Sequence, residues 1–427
     1  MPIALKVPLA MRQKAPPIRT ILVGCNGYGE VLLKELLCLQ VEGLVDLAAV
    51  VDPNHTGPGV QRAEAAGITH YSALIPALQE EKPEWTVVAT PIHLHPVATI
   101  TALEHGAHVL CEKPAAGCWD DAWAMHLAAQ APIGNTHRQV AIGFQWVFSP
   151  AVQALRTDLA AGRLGQPQRF ASCVLWQREH SYFQRSPWAG QRECAGAIVN
   201  DSVLSNATAH HLHLLMHLAR PPAEDSVPYS WRAALGRCHA IATCDSGIVD
   251  VDYAGIALRH CASHCVEMEW APLFLLECEL GCVHYQPGTG FAFHPHKGGP
   301  PIVYGDPEQA PLAKLRHCAQ ALQRQEVLPS SIAECADHLR LMEAIHSQAL
   351  PAAQAPNTIH HRNPIDGGES LVVPDLAQHL LACWANEAIP PPSWMSTAQG
   401  SIPAITPTTD SATSPLPCGN GPHHTKP

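Results

Sequence analysis

The fold is decided by the stretch Ile18-Arg19-Thr20-Ile21-Leu22-Val23-Gly24-Cys25-Asn26-Gly27-Tyr28-Gly29-Glu30. It begins with an aliphatic run that is typical of a buried parallel strand. Gly24, Gly27 and Gly29 then interrupt the chain, and leucines at helical spacing follow. A helix that begins directly after a glycine turn presents free N–H groups and the positive end of its dipole. The stretch therefore predicts a strand, a turn and a helix, with a pyrophosphate site at the turn.

An acid at a second strand end supports a dinucleotide site over an ordinary βα turn, which is the alternative. Residues 47–51 read as a strand and are followed by Asp52. Asp52 lies 52 − 29 = 23 residues beyond Gly29, close to the spacing of about 20 expected for a carboxylate that holds the ribose. Asn26 stands where the fingerprint has its middle glycine, and we expect its side chain to crowd the pyrophosphate.

The composition is that of a large globular protein. With 427 residues, 47% of them hydrophobic, the chain is long enough for two core-forming domains. A net charge of −11 gives no basic field for nucleic acid and little attraction to an anionic membrane, and no apolar run is long enough to span a bilayer. The 16 cysteines are scattered through apolar segments, which favours reduced thiols in a cytoplasmic enzyme.

Residues 18–144 alternate between strand-like and helix-like segments, which predicts a doubly wound parallel sheet. Ligands of such sheets bind beyond the C-terminal ends of the strands. Gly24, Asp52, Pro91 and the Glu112-Lys113 pair all follow predicted strand ends. Beyond the first two strands, we predict strands at 85–90, 108–111 and 139–144, and helices at 60–66, 71–81, 98–105 and 120–130.

Longer β-like runs after residue 149 predict an α+β domain at 145–350 with a large, mostly antiparallel open sheet. One face of that sheet is expected to be exposed or used for association. The predicted strands are 169–176, 231–242, 247–258, 265–270 and 273–285, and the predicted helices are 206–218, 312–323 and 332–346.

Three further segments complete the predicted organisation. Residues 1–17 read as a disordered leader rather than a signal peptide, because Pro8 interrupts their apolar patch. Residues 351–396 read as an extension with one helix. Residues 397–427 are rich in Pro, Ser, Thr and Gly and poor in large apolar residues, which predicts a disordered tail.

Lys113 is the first candidate for chemistry. It follows a predicted buried strand, with Glu112 before it and Pro114 after it. An ammonium at the rim of a nucleotide crevice can hydrogen-bond a substrate hydroxyl and stabilise the alkoxide as hydride leaves. A surface lysine on a βα loop is the alternative.

His210 is the second candidate, on the predicted helix 206–218. A histidine that faces the crevice can accept a proton near neutral pH. Asp201 lies close enough in sequence to orient it or to bind sugar hydroxyls. A packed or solvated helix histidine is the alternative.

Two His/Cys groups raise the question of a metal, and we predict no metal site in either. One group lies in an alternating segment, and its spacing matches no common ligand pattern: His260, Cys261, His264 and Cys265. The other shares one helical face, so a metal-dependent enzyme remains an alternative there: His210, His213 and His217.

Several of these motifs resemble the Gfo/Idh/MocA family, named for glucose–fructose oxidoreductase, inositol dehydrogenase and a rhizopine-catabolism protein. The similar segments are residues 24–29, 90–95 and 108–114, and the Glu-Lys-Pro sequence after a Gly-x-His-Val-Leu strand is the most specific. Residues 195–201 followed by His210 resemble the active-site segment of the family's second domain. The resemblance covers about residues 18–349.

The resemblance implies an NAD(P)-binding Rossmann domain, a second domain whose open sheet makes homo-oligomer contacts, and oxidation of a secondary alcohol of a sugar or cyclitol. Carried over, Lys113 contacts cofactor and substrate, His210 is the acid/base and Asp201 is its acidic partner. Pro91 and His95 would lie near the nicotinamide. The predicted cofactor-binding residues are Gly24, Asn26, Gly27, Tyr28, Gly29, Asp52, Thr90, Pro91, His95, Glu112 and Lys113.

The function predicted from the sequence is that of an NAD(P)-dependent dehydrogenase acting on CH–OH groups of a small polyol or sugar. Asp52 is followed by Pro53, without an Arg at the next positions, which favours NAD over NADP. The chain departs from the family in the long gap between Asp201 and His210, and residues 145–148 lack the family's usual Asn and Arg. The alternative is a non-catalytic dinucleotide-binding sensor or regulatory protein on the same fold.

Overall fold

Two β-sheets organise the chain in the computed structural model, which describes residues 15–132, 137–221, 226–348, 353–362 and 367–405. The first sheet has six strands and the second has ten. Most of the predicted leader (1–14) and the tail from 406 lie outside the described residues. Within the described ranges, no helix is both long enough and apolar enough to cross a bilayer.

The first sheet is parallel throughout, as predicted. Its strands are β1 (Ile18–Val23), β2 (Val45–Val51), β3 (Thr69–Tyr71), β4 (Trp85–Val88), β5 (His108–Cys111) and β6 (Val140–Ile142). They lie in the order β3-β2-β1-β4-β5-β6. The helices between them are α1 (Tyr28–Val41), α2 (Pro58–Ala65), α3 (Leu74–Glu81), α4 (His95–Glu104) and α5 (Trp119–Gln130). Apart from the short edge strand β3, the strands are buried and mostly apolar runs with helices between them, which explains their parallel arrangement.

The second sheet is mostly antiparallel, in the order β16-β15-β14-β13-β7-β12-β11-β10-β17, with β20 also beside β10. The elements up to its β16 strand are α6 (Pro150–Ala160), β7 (Pro167–Leu175), α7 (His180–Gln184), β8 (Glu193–Cys194), β9 (Ala197–Ile198), α8 (Ala209–Ala219), β10 (Tyr229–Arg237), β11 (Ser246–Tyr253), β12 (Ile256–Ser263), β13 (Trp270–Cys278), β14 (Gly281–Gln286), β15 (Gly290–Pro295) and β16 (Ile302–Gly305). The later elements are α9 (Ala313–Gln323), α10 (Ile332–Gln348), β17 (Ala353–Gln354), β18 (Ile359–Arg362), β19 (Glu369–Val372), α11 (Leu376–Ala385) and β20 (Ser396–Ile402).

Helices from the second half of the chain pack on the first sheet. α9 contacts α1 and β1, and α10 contacts α5 and β6. The Ser330 hydroxyl donates to the carbonyl of Ile142 in the edge strand β6, at 2.8 Å. Residues that lie between β16 and β17 in sequence therefore pack against the first sheet.

Several predicted element bounds are wrong. The predicted strand 247–258 is divided between β11 and β12 by a turn at Ala254 and Gly255, both with positive φ. The predicted strand 273–285 is likewise divided between β13 and β14. Residues 265–269 are not a strand, and the predicted helix 71–81 begins only at Leu74 because β3 precedes it.

The predicted start of the disordered tail at residue 397 is also wrong. β20 pairs antiparallel with β10 from Ser396 to Ile402. Without β20, most of β10 would be an edge strand with unpaired backbone groups, and the pairing satisfies them. The low content of large apolar residues concealed this strand in the sequence. Its Gly400 packs against the Trp231 ring, where a Cβ would lie 3.1 Å from Trp231 Nε1.

Part of one face of the second sheet is covered by α11. α11 packs on β7 and β12, on the face opposite α8. The apolar residues at this contact are buried: Cys173, Leu175, Ile248, Cys261, Leu376, Leu380 and Cys383. The chain itself therefore covers this part of the sheet, and association through the sheet stays a prediction.

Candidate active site

The glycine turn joins β1 to the N-terminus of α1. Gly24 has φ +81°, and a Cβ there would lie 2.7 Å from the carbonyl oxygen of Ala89. A Cβ on Gly29 would lie 1.9 Å from the carbonyl oxygen of Gly24. Among the described residues, no side chain caps the helix at Gly27. The turn is thus a close-packed cradle with backbone N–H groups at a helix N-terminus, which suits a pyrophosphate.

The Asn26 side chain is bonded to the start of α2, and crowding of the pyrophosphate by it stays a prediction. Its side-chain oxygen accepts a hydrogen bond from the backbone N–H of Gly59 at 3.0 Å. A Cβ on Gly57 would lie 2.1 Å from the same oxygen. Asn26 is therefore packed against the start of α2, and its side chain fixes the turn.

Asp52 is bonded to the glycine turn. Its Oδ2 accepts from the backbone N–H groups of Cys25 at 3.1 Å and Asn26 at 3.3 Å, and Oδ1 accepts from Asn54 N–H at 2.9 Å. Burial, together with the Asp52 charge, raises the pKa of the Cys25 thiol to about 12. Asp52 therefore orients the turn, and its contact with a ribose stays a prediction.

A cleft beyond the ends of β1, β2 and β4 can hold the adenosine half of a dinucleotide. Its volume is about 790 Å³, within the range of ligand pockets. Five of the predicted cofactor-binding residues line it: Gly24, Asn26, Asp52, Thr90 and Pro91. The other walls are largely apolar, from Leu74, Ile75, Leu94 and Val97.

Lys113 faces the second half of the chain. Its Nζ donates to the backbone oxygen of Asn206 at 2.7 Å and to Asn206 Oδ1 at 2.8 Å. Asn206 lies in a π-helical turn, Val203–Ala207, that leads into α8. Burial lowers the pKa of Lys113 to about 8. We did not predict a role for Asn206, although its place between Asp201 and His210 in one segment was the available signal.

Asp201 is not the partner of His210, so this prediction is wrong. Its Oδ1 accepts from Asn206 Nδ2 at 2.6 Å, and its Oδ2 accepts from Gly190 N–H at 2.7 Å and Arg185 Nη2 at 3.2 Å. The π-helical turn adds residues between Asp201 and His210. Asp201 consequently orients Asn206 and acts on Lys113 through it.

His210 lies at the start of α8 and is partly exposed. Its Nδ1 is buried and has no hydrogen-bond partner within the described part of the chain. Burial, followed by the charges of Lys113 and Lys314, holds the pKa of His210 well below its usual value. The imidazole is therefore neutral at neutral pH, with a ring nitrogen able to accept a proton, but the lowered pKa makes it a weak base.

His95 is buried between two loops, and its predicted place near the nicotinamide stays a prediction. The side chain is 1% exposed. Its Nδ1 lies 2.8 Å from the carbonyl oxygen of Pro114, and its Nε2 lies 2.8 Å from that of Thr90. Burial lowers its pKa. The ring joins the loops that follow β4 and β5, and no ring nitrogen is left for a ligand.

Two arginines stack on aromatic rings beside Asp201. The guanidinium carbon of Arg185 lies 3.9 Å from the ring centre of Tyr182 and 4.7 Å from that of Trp188. That of Arg178 lies 5.3 Å from the ring centre of Tyr182. Stacking of this kind fixes a guanidinium in place. Arg185 also bonds Asp201, which holds Asn206, and we did not predict these side chains as site residues.

Glu112, a predicted cofactor-binding residue, pairs with a protein cation. Lys314 of α9 bonds its Oε1 and also lies 3.3 Å from the Tyr28 hydroxyl. The spacing of 202 residues between Lys314 and Glu112 explains why sequence patterns did not reveal the pair.

The two His/Cys groups for which we predicted no metal site do not bring their ring nitrogens and thiols to a common point. His260 is bonded to the hydroxyls of Ser172 and Thr208 on the α8 side of the sheet, whereas Cys261 packs with α11 on the other face. His213 stacks on Phe144 with ring centres 3.8 Å apart. Across the described ranges, three such ligand atoms lie within 4.8 Å of one another in a different group, Cys238, Asp245 and Cys265.

That third group has an explanation without a metal. The Asp245 carboxylate accepts from the backbone N–H groups of Cys238 and His239, at 2.8 Å and 2.9 Å, and from His239 Nδ1 at 2.9 Å. A buried carboxylate with this many donors is satisfied by the protein. Asp245 therefore stabilises the turn between β10 and β11.

Fold and site together define a Rossmann-type dinucleotide-binding protein with a second α/β half that completes the site. A family model described as "Oxidoreductase family, NAD-binding Rossmann fold" matches residues 18–133. Over these residues the chain matches the Gfo/Idh/MocA oxidoreductase family. The predicted family, the fold class and the NAD-binding character of the first domain are confirmed.

Curated relatives match over part of their length. The rhizopine catabolism protein MocA of Rhizobium meliloti is 29% identical over 161 residues, which are 36% of this chain and 46% of that protein. An inositol 2-dehydrogenase of Leifsonia xyli subsp. xyli is 32% identical over 202 residues, 47% of this chain and 54% of that protein. The chain thus spans about half or less of these relatives.

Solved structures share the fold over most of the chain. The WlbA dehydrogenase from Bordetella pertussis, in complex with NADH and UDP-GlcNAcA, has a TM-score of 0.63 at 22% identity, covering 78% of this chain and 96% of that one. The myo-inositol 2-dehydrogenase from Lactobacillus plantarum has a TM-score of 0.61 at 14% identity, covering 78% and 96%. At these identities the likeness shows the fold alone.

Proposed function

We propose that this chain is an NAD-dependent dehydrogenase that moves a hydride between a secondary alcohol of a sugar or cyclitol-like substrate and the nicotinamide. The main support for this proposal is that Asn206 holds the Lys113 ammonium, at the end of β5, near His210. The glycine turn lies at the same edge of the parallel sheet, two strands away. The names of the relatives, inositol 2-dehydrogenase and levoglucosan dehydrogenase, support this substrate class.

The residues divide the proton chemistry between them. Oxidation breaks the O–H and C–H bonds of the carbinol and forms a carbonyl, and the bound nicotinamide supplies the acceptor for the hydride. The neutral imidazole of His210 takes the hydroxyl proton. The Lys113 ammonium donates a hydrogen bond to the same oxygen as negative charge develops there. Asn206 and Asp201 keep the ammonium in place.

The stacked segment beside Lys113 supplies the contacts for the rest of the substrate. Tyr182 and Trp188 offer apolar ring faces, and Arg185 lies between them with its guanidinium held by Asp201. Ring faces next to fixed hydrogen-bond donors suit a polyhydroxylated ring. We propose NAD over NADP, because Asp52 follows β2 and would repel a 2′-phosphate.

One observation favours the alternative, a dinucleotide-binding protein without turnover. Nδ1 of His210 has no acceptor among the described residues, and Asp201 is bonded elsewhere. The ring is therefore not oriented by a carboxylate as in most acid–base pairs.

The deciding experiment screens sugars, inositols and sugar acids for NADH production by the purified protein. A substrate of the proposed class should be oxidised. Lys113→Ala should then lower kcat by about 100-fold or more, as when one donor to a developing oxyanion is lost, while the Kd for NADH changes little. Lys297→Ala, at an exposed lysine, is the control. NADH binding without turnover of any member would instead favour the sensor.

A further inference from the structure

Lys314 is a fully buried lysine whose neighbours belong to the candidate site. It lies on α9 and has 0% of its surface exposed. Its Nζ bonds Glu112 Oε1, and it lies 3.3 Å from the Tyr28 hydroxyl and 3.4 Å from the carbonyl oxygen of Gly143. A buried ammonium is costly unless it is paired and hydrogen-bonded. Lys314 is therefore a buried charge that would destabilise the fold without these partners.

The three partners lie at the ends of three strands of the parallel sheet. Tyr28 is the first residue of α1, directly after the glycine turn that follows β1. Glu112 follows β5 and precedes Lys113, and Gly143 follows β6. A Cβ on Gly143 would lie 3.0 Å from Glu112 Oε1. Lys314 thus bridges the pyrophosphate cradle and the segment that carries the Lys113 ammonium.

The charges of this cluster act on Lys113. Burial lowers the pKa of Lys113, Glu112 acts to raise it, and Lys314 acts to lower it. Burial is the largest influence on Lys314 and opposes its charge, but Glu112 and Tyr28 together outweigh burial, and the pKa of Lys314 is raised. Lys314 consequently stays charged and neutralises Glu112. The titratable and charged groups around Lys113 are Glu112, Asp201, Arg185, His210, His211, Lys314 and His338.

We propose that Lys314 is a positioning residue that, through Glu112 and Tyr28, fixes the Lys113 ammonium relative to the glycine turn. This inference rests on the proposed function. A purely structural ion pair would stabilise the fold without any specific effect on Lys113. A positioning residue also sets the titration of Lys113 and the affinity for the dinucleotide, because both depend on the spacing between the two strand ends.

The test measures Lys113 directly and needs no substrate. The rate at which an acylating reagent modifies Lys113 is followed by mass spectrometry against pH, and the Kd for NADH is followed by fluorescence. In Lys314→Met, Glu112 is left unpaired, so the pKa of Lys113 should rise by about 1 or more. In Glu112→Gln, the Lys314 charge is left unpaired, so the pKa of Lys113 should fall.

The Kd for NADH should rise about 10-fold or more in Lys314→Met, because even a small displacement of the groups at a binding site weakens binding. Lys314→Arg keeps the charge and should restore part of this loss. The matched control is Arg316→Met, which removes another cation of α9 that pairs with Glu42 on the first domain. It should change neither quantity.

Two results would overturn the inference. The first is that Lys314→Met and Arg316→Met change the Lys113 pKa and the Kd for NADH to the same extent. The second is a shift of the Lys113 pKa in the same direction in Lys314→Met and Glu112→Gln. If Lys314→Met does not fold, the double variant with Glu112→Gln removes both charges, a change that buried pairs often tolerate. Its Kd for NADH should still weaken, and an unchanged Kd would overturn the inference. Failure of turnover alone would count against the proposed function and not against this inference.

Discussion

Burial acts in the same direction on the two groups proposed to act on the substrate hydroxyl. It lowers the pKa of the Lys113 ammonium to about 8 and holds that of His210 well below its usual value. His210 is therefore neutral, and Lys113 is charged, over the range from weakly acidic pH to about pH 8. Alcohol oxidation requires both of these forms. The residue chemistry thus predicts a plateau of activity with an alkaline limit.

The alkaline limit can be assigned to Lys113. As the pH rises through about 8, the ammonium loses its proton and its hydrogen bond to the substrate oxygen, so kcat should fall. In Lys113→Arg, the guanidinium stays charged to above pH 12, so the remaining activity should lose this limit. The measurement is kcat against pH for both proteins. A limit near pH 8 that persists in Lys113→Arg would contradict the assignment.

Lys113 was predictable because its signal is local, a Glu-Lys-Pro sequence at a strand end. Asn206 and Lys314 were not predictable in the same way. Asn206 depends on a π-helical turn that periodicity does not reveal, and Lys314 meets Glu112 across 202 residues. His95 had a recognisable motif, but its two backbone contacts emerged only from the packing of the loops.

At the scale of elements, α11 is fixed to the second sheet at both its side and its end. Its apolar side packs on β7 and β12. Arg259 of β12 donates to the carbonyl oxygen of Cys383 at 2.8 Å, and Arg169 of β7 bonds that of Trp384. Cations at the last carbonyls of a helix stabilise it. The extension is thus part of the core of the second half of the chain.

This packing predicts a large stability cost for a small change in α11. Leu380 has 0% exposure in the contact with the sheet. Leu380→Ala should lower the free energy of unfolding by about 2–5 kcal/mol, as for other buried leucines. Gln378→Ala, at an exposed position of the same helix, is the control. Denaturant titration measures both. A cost for Leu380→Ala no greater than that of the control would show that the extension does not belong to the core.

Five strands of the parallel sheet were predictable, because each is a short apolar run followed within three residues by Gly, Pro or an acid. β3 was missed, because Thr69-His70-Tyr71 is not such a run. The antiparallel strands were harder, since β11 and β12 form one continuous β-like run in the sequence. Their turn lies at Ala254 and Gly255, and a positive φ at an alanine has no sequence signal. β20 was missed because its Ser, Thr and Gly residues are typical of a tail.

At the scale of the whole molecule, the candidate site is completed by distant parts of the chain. The first domain supplies the glycine turn, Asp52 and Lys113. The second half supplies Asn206 and His210 from the start of α8, and Lys314 from α9. Composition could not show this meeting of the two halves. The predicted two-part architecture implied a crevice, but the side chains that line it depend on tertiary packing.

The central claim is that the glycine turn holds the pyrophosphate and thereby places the nicotinamide beside Lys113. The most direct measurement is a crystal structure of the protein with NADH. The account predicts pyrophosphate oxygens at the backbone N–H groups of the α1 N-terminus and adenosine in the cleft lined by Leu74 and Pro91. The nicotinamide ring should lie next to Lys113 Nζ, with no protein atom between them. A nicotinamide bound away from Lys113, or no binding at about 1 mM NADH, would contradict it.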